Sequence, residues 1–211
     1  MKLTKFKHAC LELVKDDTTL LIDPGAFTHD FIMPKKVDAV VITHDHADHL
    51  DPTLVQNILK THPKATLFAH ESITSRFADS PTQAVTTGET YTVGALTLQF
   101  FGGTHAPINE SMPVPPNFGV LVNETFYYPG DSFTVPENVE VATLALPVSA
   151  PWLSFDACAK FLISVHPKFA FPTHDQILSD DGHKLIDTMV GNIASSQGIV
   201  YKRLDSSSID L

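Results

Sequence analysis

The chain has 211 residues, 43% of them hydrophobic and 18% charged, with 14 Lys and Arg against 24 Asp and Glu and a formal charge of −10. That charge repels a phosphate backbone, and no cluster of basic residues offsets it, which argues against nucleic acid as a partner. Mean hydropathy near zero and the lack of an apolar run of roughly 18–20 residues argue against disorder and against a membrane partner, and the opening residues lack a signal peptide's apolar stretch; the expectation is one cytoplasmic domain over residues 1–211.

In chain order, Leu3 to Leu13 loosely alternates, with Ala9, Leu11 and Leu13 on one face. A turn at Lys15 to Thr18 leads to a strand over Thr19 to Ile22, closed by Asp23-Pro24-Gly25. Val37 to Thr43 is a nearly unbroken apolar run, the pattern of a strand covered on both faces. Asp51-Pro52 reads as an N-cap and first helical residue, with Leu54, Val55, Ile58 and Leu59 as the buried stripe. A short strand over Ala65 to Ala69 and a short helix over Ser72 to Phe77 follow. Tyr91 to Val93, Leu96 to Phe101, Phe118 to Val122 and Thr125 to Tyr128 read as strands. Ala142 to Leu146 and Phe169 to Phe171 read as core strands, separated by a helix from Ser154 that buries Phe155, Cys158, Leu162 and Val165. A last helix follows Asp180-Asp181, with Leu185, Ile186, Met189, Val190 and Ile193 inward. Cys10 and Cys158 have no metal or disulfide spacing and read as reduced core residues.

Between the buried strand and the first helix lies His44-x-His46-x-Asp48-His49. Imidazole nitrogen and carboxylate oxygen suit zinc and related divalent ions, whereas calcium and magnesium favour oxygen alone. Four such groups cannot saturate two ions, so further ligands are required. His105 in "GGTHAP", Asp131 in "YYPGDS" and His174 in "FPTHDQ" each follow a predicted strand and stand beside glycine or proline.

This constellation resembles the metallo-β-lactamase superfamily, whose HxHxDH signature is matched by His44, His46, Asp48 and His49 and whose later single ligands are matched by His105, Asp131 and His174. The opening "FKHACLEL...LLIDPGAF" is similar to small stand-alone members related to the L-ascorbate-6-phosphate lactonase-like group. The resemblance implies an α/β fold, an αββα sandwich of two mixed sheets flanked by helices, with a dinuclear centre at its edge. His44, His46 and His105 would bind one ion, Asp48, His49 and His174 the other, and Asp131 would bridge them. Two divalent ions, zinc first with manganese or iron as alternatives, would hold a hydroxide that attacks a lactone, ester or phosphoester of a small polar molecule. Asp48 and Asp131 would be the catalytic residues, with ligation as the main role of Asp48. A phosphodiesterase is the nearest enzymatic rival, and a non-hydrolytic di-iron redox or metal-binding protein the rival from another class.

Outside the ligand set the signals are weaker. Asp23 reads as a turn residue or as a partner of a ligand histidine, and His8 as a structural histidine or a second such partner. The proline-rich stretch from Ala106 to Asn117 reads as a stiff lip or an ordinary crossover loop, with Asn109 as a polar substrate contact. Trp152 reads as a wall of the substrate pocket or as a cap on the core.

Overall fold

The computed structural model describes residues 1–204 and 208–211. The first half runs β1 (Lys2–Lys5), β2 (Leu11–Lys15), β3 (Thr18–Ile22), β4 (Ala39–Val41), α1 (Pro52–Thr61), β5 (Thr66–Ala69), α2 (Glu71–Thr74), a 3-10 turn (Ser75–Phe77) and β6 (Thr82–Ala84). The second runs β7 (Thr90–Val93), β8 (Leu96–Gly102), β9 (Phe118–Val122), β10 (Phe126–Tyr128), β11 (Thr143–Pro147), α3 (Phe155–Val165), β12 (Phe169–Thr173), α4 (Asp180–Ser196), β13 (Val200–Tyr201) and β14 (Ser208–Asp210). Two sheets form, in the orders β14-β1-β2-β3-β4-β5-β6 and β13-β12-β11-β10-β9-β8-β7.

Both sheets are mixed in the same way. The strands β14-β1-β2-β3 pair antiparallel and β3-β4-β5-β6 parallel. Likewise β7-β8-β9-β10 pair antiparallel and β10-β11-β12-β13 parallel. Parallel neighbours need long crossovers, and α1, α3 and α4 supply them on the outer faces.

The side-chain period of two explains the layering. In β3, Leu20 and Ile22 enter the layer between the sheets and Leu21 the layer under α1; in β4, Ala39 and Val41 point inward and Val40 outward. The second sheet repeats the pattern, with Phe118, Val120 and Val122 inward and Leu121 outward toward Phe161 and Leu162 of α3. Continuous apolar runs are required because each strand is covered on both faces. The αββα expectation holds.

Several details differ from the sequence reading. Leu3 to Leu13 is two strands: the chain turns over Phe6 to Cys10, where the Phe6 N–H donates to Cys10 O at 2.9 Å and His8 adopts φ 62. Edge strands β6, β13 and β14 were not anticipated, because such short and largely exposed segments carry little alternation. Leu185 is 63% exposed, while α4 buries Val190 and Ala194. The apolar stripe therefore begins one position later.

Candidate metal centre

All seven expected ligands converge at one edge of the sandwich, where strands of both sheets end. His44, His46, Asp48 and His49 follow β4, His105 follows β8, Asp131 follows β10 and His174 follows β12. A bridge between His44 and Asn117 ties the two sheets together there. Asn117 is fully buried; its Nδ2 donates to Pro129 O at 2.9 Å and its Oδ1 accepts from the Asp131 N–H at 3.0 Å. This fixes the turn that presents Asp131, and Gly130 supplies its left-handed φ of 62.

The donor atoms fall into two groups. In the first, His44 Nε2 is 3.1 Å from His46 Nδ1, and His105 Nε2 is 3.3 Å from Asp131 Oδ2. In the second, His174 Nε2 is 3.2 Å from Asp48 Oδ2, and His49 Nε2 is 3.8 Å from the same oxygen. Asp131 reaches both: its Oδ1 is 3.1 Å from His49 Nε2 and its Oδ2 3.1 Å from His174 Nε2. Within each of two sets, His44-His46-His105-Asp131 and His8-Asp48-His49-His174, one ligand atom per residue lies within 4.8 Å of the others. Tetrahedral bonds of roughly 2.0–2.1 Å place neighbouring donors about 3.3 Å apart, so the spacing fits divalent ions.

The hydrogen bonds behind the rings decide which nitrogen is free. Thr43 Oγ1 donates to Asp23 Oδ2 at 2.6 Å, so it accepts from His44 Nδ1 at 3.0 Å. His49 Nδ1 donates to Asp23 Oδ2 at 2.7 Å, His105 Nδ1 to Ala106 O, and His174 Nδ1 to Ser149 O. Each ring thereby keeps a proton on Nδ1 and turns Nε2 toward the centre. His49 Nε2, His105 Nε2 and Asp131 Oδ1 are buried without a hydrogen-bond partner. Buried polar atoms normally find partners, and three orphans aimed at one place fit a cation.

Charge follows the same division. Burial pushes His44 well below the usual histidine range and lowers His46, keeping both neutral and able to donate a lone pair. Burial also opposes charge on His174, but Asp131 and Asp48 outweigh it and raise the group to about 9; Asp131 and Asp23 do the same for His49, well above its usual value. A cation entering the centre competes with those protons.

The residues outside the ligand set are sorted by the structure. Asp23 is fully buried and serves His44 through Thr43 and His49 directly. His8 is fully buried, its Nε2 3.0 Å from Asp48 Oδ2. The Gln176 N–H donates to His8 Nδ1 at 3.3 Å, so Nε2 carries the proton and His8 is a donor to Asp48 and offers no lone pair. Trp152 lies beside the centre, its Nε1 donating to Asp131 Oδ2 at 2.9 Å. Asn109 is exposed, and its Oδ1 caps its own turn by accepting from the Ser111 N–H and hydroxyl. Sequence reasoning missed Thr43, Asn117 and the Ser149 carbonyl; Thr43, next to His44, was the one with a positional cue.

Gly25 marks a tight approach. A Cβ there would lie 1.9 Å from the Asp48 carbonyl oxygen, because the Pro24 to Ala26 segment packs on the ligand loop through Ala26 N–H to Ala47 O at 2.8 Å. Gly25→Ala is expected to push the Asp48-His49 backbone aside, costing about 1–3 kcal/mol of stability and lowering metal affinity. Denaturant titration and metal analysis of the purified variant check this, and wild-type values in both would show that the contact is slack.

Comparison with known proteins agrees with this geometry. Residues 2–174 match the family described as the Beta-lactamase superfamily domain. The chain belongs to that superfamily. It is 36% identical over 210 residues to Protein Rv0786c of Mycobacterium tuberculosis, covering 97% of this chain and 91% of the relative. Among solved structures it is similar to Igni18, a metallo hydrolase of Ignicoccus hospitalis, with a TM-score of 0.76, 18% identity and coverage of 100% of this chain and 98% of the other. YhfI of Bacillus subtilis, a metallo-beta-lactamase fold protein, gives a TM-score of 0.73 at 16% identity, covering 99% of this chain and 98% of the other. Among the described residues of this superfamily member, no helix is long and apolar enough to cross a membrane.

Proposed function

We propose that this protein is a dinuclear metal-dependent hydrolase, with zinc as the first expectation, that opens a lactone or ester of a small polar molecule. The observation that carries the reading is the set of four histidines tied through Nδ1 with Nε2 turned toward two acids. Superfamily membership and the fold shared with Igni18, a metallo hydrolase, support it. When bound, two divalent ions would acidify water and polarise the scissile oxygen.

The chain's own groups then have distinct tasks. Asp131 joins the two donor sets. Asp48 is 21% exposed; His8 Nε2 donates to its Oδ2 at 3.0 Å, leaving Oδ1 to accept a hydrogen bond from water at the centre. The lip carries exposed Met112 and Val114, and Ala106 N–H donates to Asp131 O at 2.8 Å, anchoring the lip at the centre. A lip that carries the acidic Glu110 and no cationic residue favours an uncharged lactone or ester over a phosphoester. Small-molecule chemistry inside a cytoplasmic setting completes the proposal.

Protein reconstituted with zinc, manganese or iron would be assayed against lactones, carboxylic esters, thioesters, phosphomonoesters and phosphodiesters. The expected result is lactone or ester hydrolysis that a chelator lowers by at least about a thousandfold and that added metal restores. Turnover confined to phosphodiesters would replace this reading with the phosphodiesterase one. Two bound ions without turnover on any class would overturn it.

A further inference from the structure

The loop from Val148 to Ser154, between β11 and α3, holds two ligand residues from behind. Its first residue is pinned to β12 by the Val148 N–H to Thr173 O at 3.1 Å. Ser149 O accepts from His174 Nδ1, and Trp152 Nε1 donates to Asp131 Oδ2 at 2.9 Å. Those two ligands are themselves 3.1 Å apart. The loop closes into helix α3, where Ser154 accepts from the Ala157 N–H, so its far end is fixed as well. The indole packs edge-on against Phe133 at 5.2 Å, His105 at 5.8 Å and His174 at 6.3 Å.

An indole N–H donates only and keeps its proton across the working pH range. On Asp131 it therefore does two things. It occupies a lone pair of Oδ2, drawing some negative charge from that oxygen. It also fixes the carboxylate plane, so that Oδ1 is presented to His49 while Oδ2 is shared toward His105 and His174. A carboxylate that joins two donor sets needs this restraint, because rotation about its Cβ–Cγ bond would withdraw one oxygen from one set.

We propose that Trp152 is a positioning residue of the metal centre, its indole N–H holding the Asp131 carboxylate in the orientation that serves both donor sets. This rests on the metal reading of the site. Trp152→Phe removes the N–H and keeps an aromatic ring against Phe133. Phe133→Leu disturbs the packing under the indole and keeps the N–H. Metal affinities of both variants and of the unaltered protein would be measured with zinc by competition against a chromophoric chelator.

The expected result is a drop of about 10- to 100-fold in affinity for at least one of the two ions in Trp152→Phe, with Phe133→Leu within about twofold of the unaltered protein. Because Trp152 is the single tryptophan in the chain, its indole N–H gives one proton–nitrogen resonance, expected to be protected from solvent exchange in the zinc-loaded protein. Trp152→Phe with unaltered zinc affinity would overturn the proposal, as would equal losses in both variants or an indole proton that exchanges freely. Unaltered protein that takes up no zinc would overturn the reading of the centre itself, a result distinguishable from all of these.

Discussion

Asp131→Ala is expected to leave a folded protein that retains at most one metal ion and turns over substrate at least about a thousandfold more slowly, equivalent to about 4 kcal/mol of lost transition-state stabilisation. Asp131 lies between the two donor sets, 3.1 Å from His49 Nε2 and His174 Nε2 and 3.3 Å from His105 Nε2. Burial would push its carboxyl upward, but His49 and His174 outweigh that and hold it well below the usual range, so it is a carboxylate at any working pH. Alanine leaves His44, His46 and His105 without a carboxylate in their set. Metal content by elemental analysis and kcat/KM on the same preparation check the prediction, and a variant with two ions and undiminished turnover would remove Asp131 from the centre.

Asp23→Ala is expected to be the most damaging change among residues that touch no ion. Asp23 accepts from the Thr43 N–H at 2.8 Å, the Thr43 hydroxyl at 2.6 Å and His49 Nδ1 at 2.7 Å, all in a fully buried setting. Alanine strands three donors and releases the rings of His44 and His49 from their tautomers. Breaking a buried charged network of this kind costs about 3–5 kcal/mol, and loss of the partner behind a ligand histidine lowers metal affinity about 10- to 100-fold. Denaturant unfolding of chelator-treated protein isolates the first effect and chelator competition the second. Stability within 1 kcal/mol of the unaltered protein, on the scale of a single ordinary hydrogen bond, would show that the network carries little weight.

The cluster of candidate ligands was legible in the sequence because metal chemistry demands particular side chains at particular strand ends, and His44, His46, Asp48 and His49 lie within one short loop. The layering was legible too: runs such as Val40, Val41 and Ile42 announce strands covered on both faces. The supporting contacts were not. Gln176 and His8 lie 168 positions apart, and the acceptors for His105 and His174 are backbone carbonyls, which any residue can provide. Trp152 was noticed as a wall of the pocket, but its hydrogen bond to Asp131 depends on how the Val148 to Ser154 loop folds back. The break at His8 was hidden because apolar alternation on both sides of the turn reads as one continuous strand.

Three side chains at this edge, His8, Asp23 and His174, sit on backbone in the left-handed region, with φ of 62, 47 and 56. Glycine adopts that conformation freely, whereas other L-residues bear roughly 1–2 kcal/mol each. None of the three is glycine, and each is a buried side chain at the centre. Local backbone strain there accompanies the placing of a polar group. Glycine at His8 would ease the backbone but remove a fully buried ring and the donor on Asp48, so the strain at this rim is the cost of setting that donor in place.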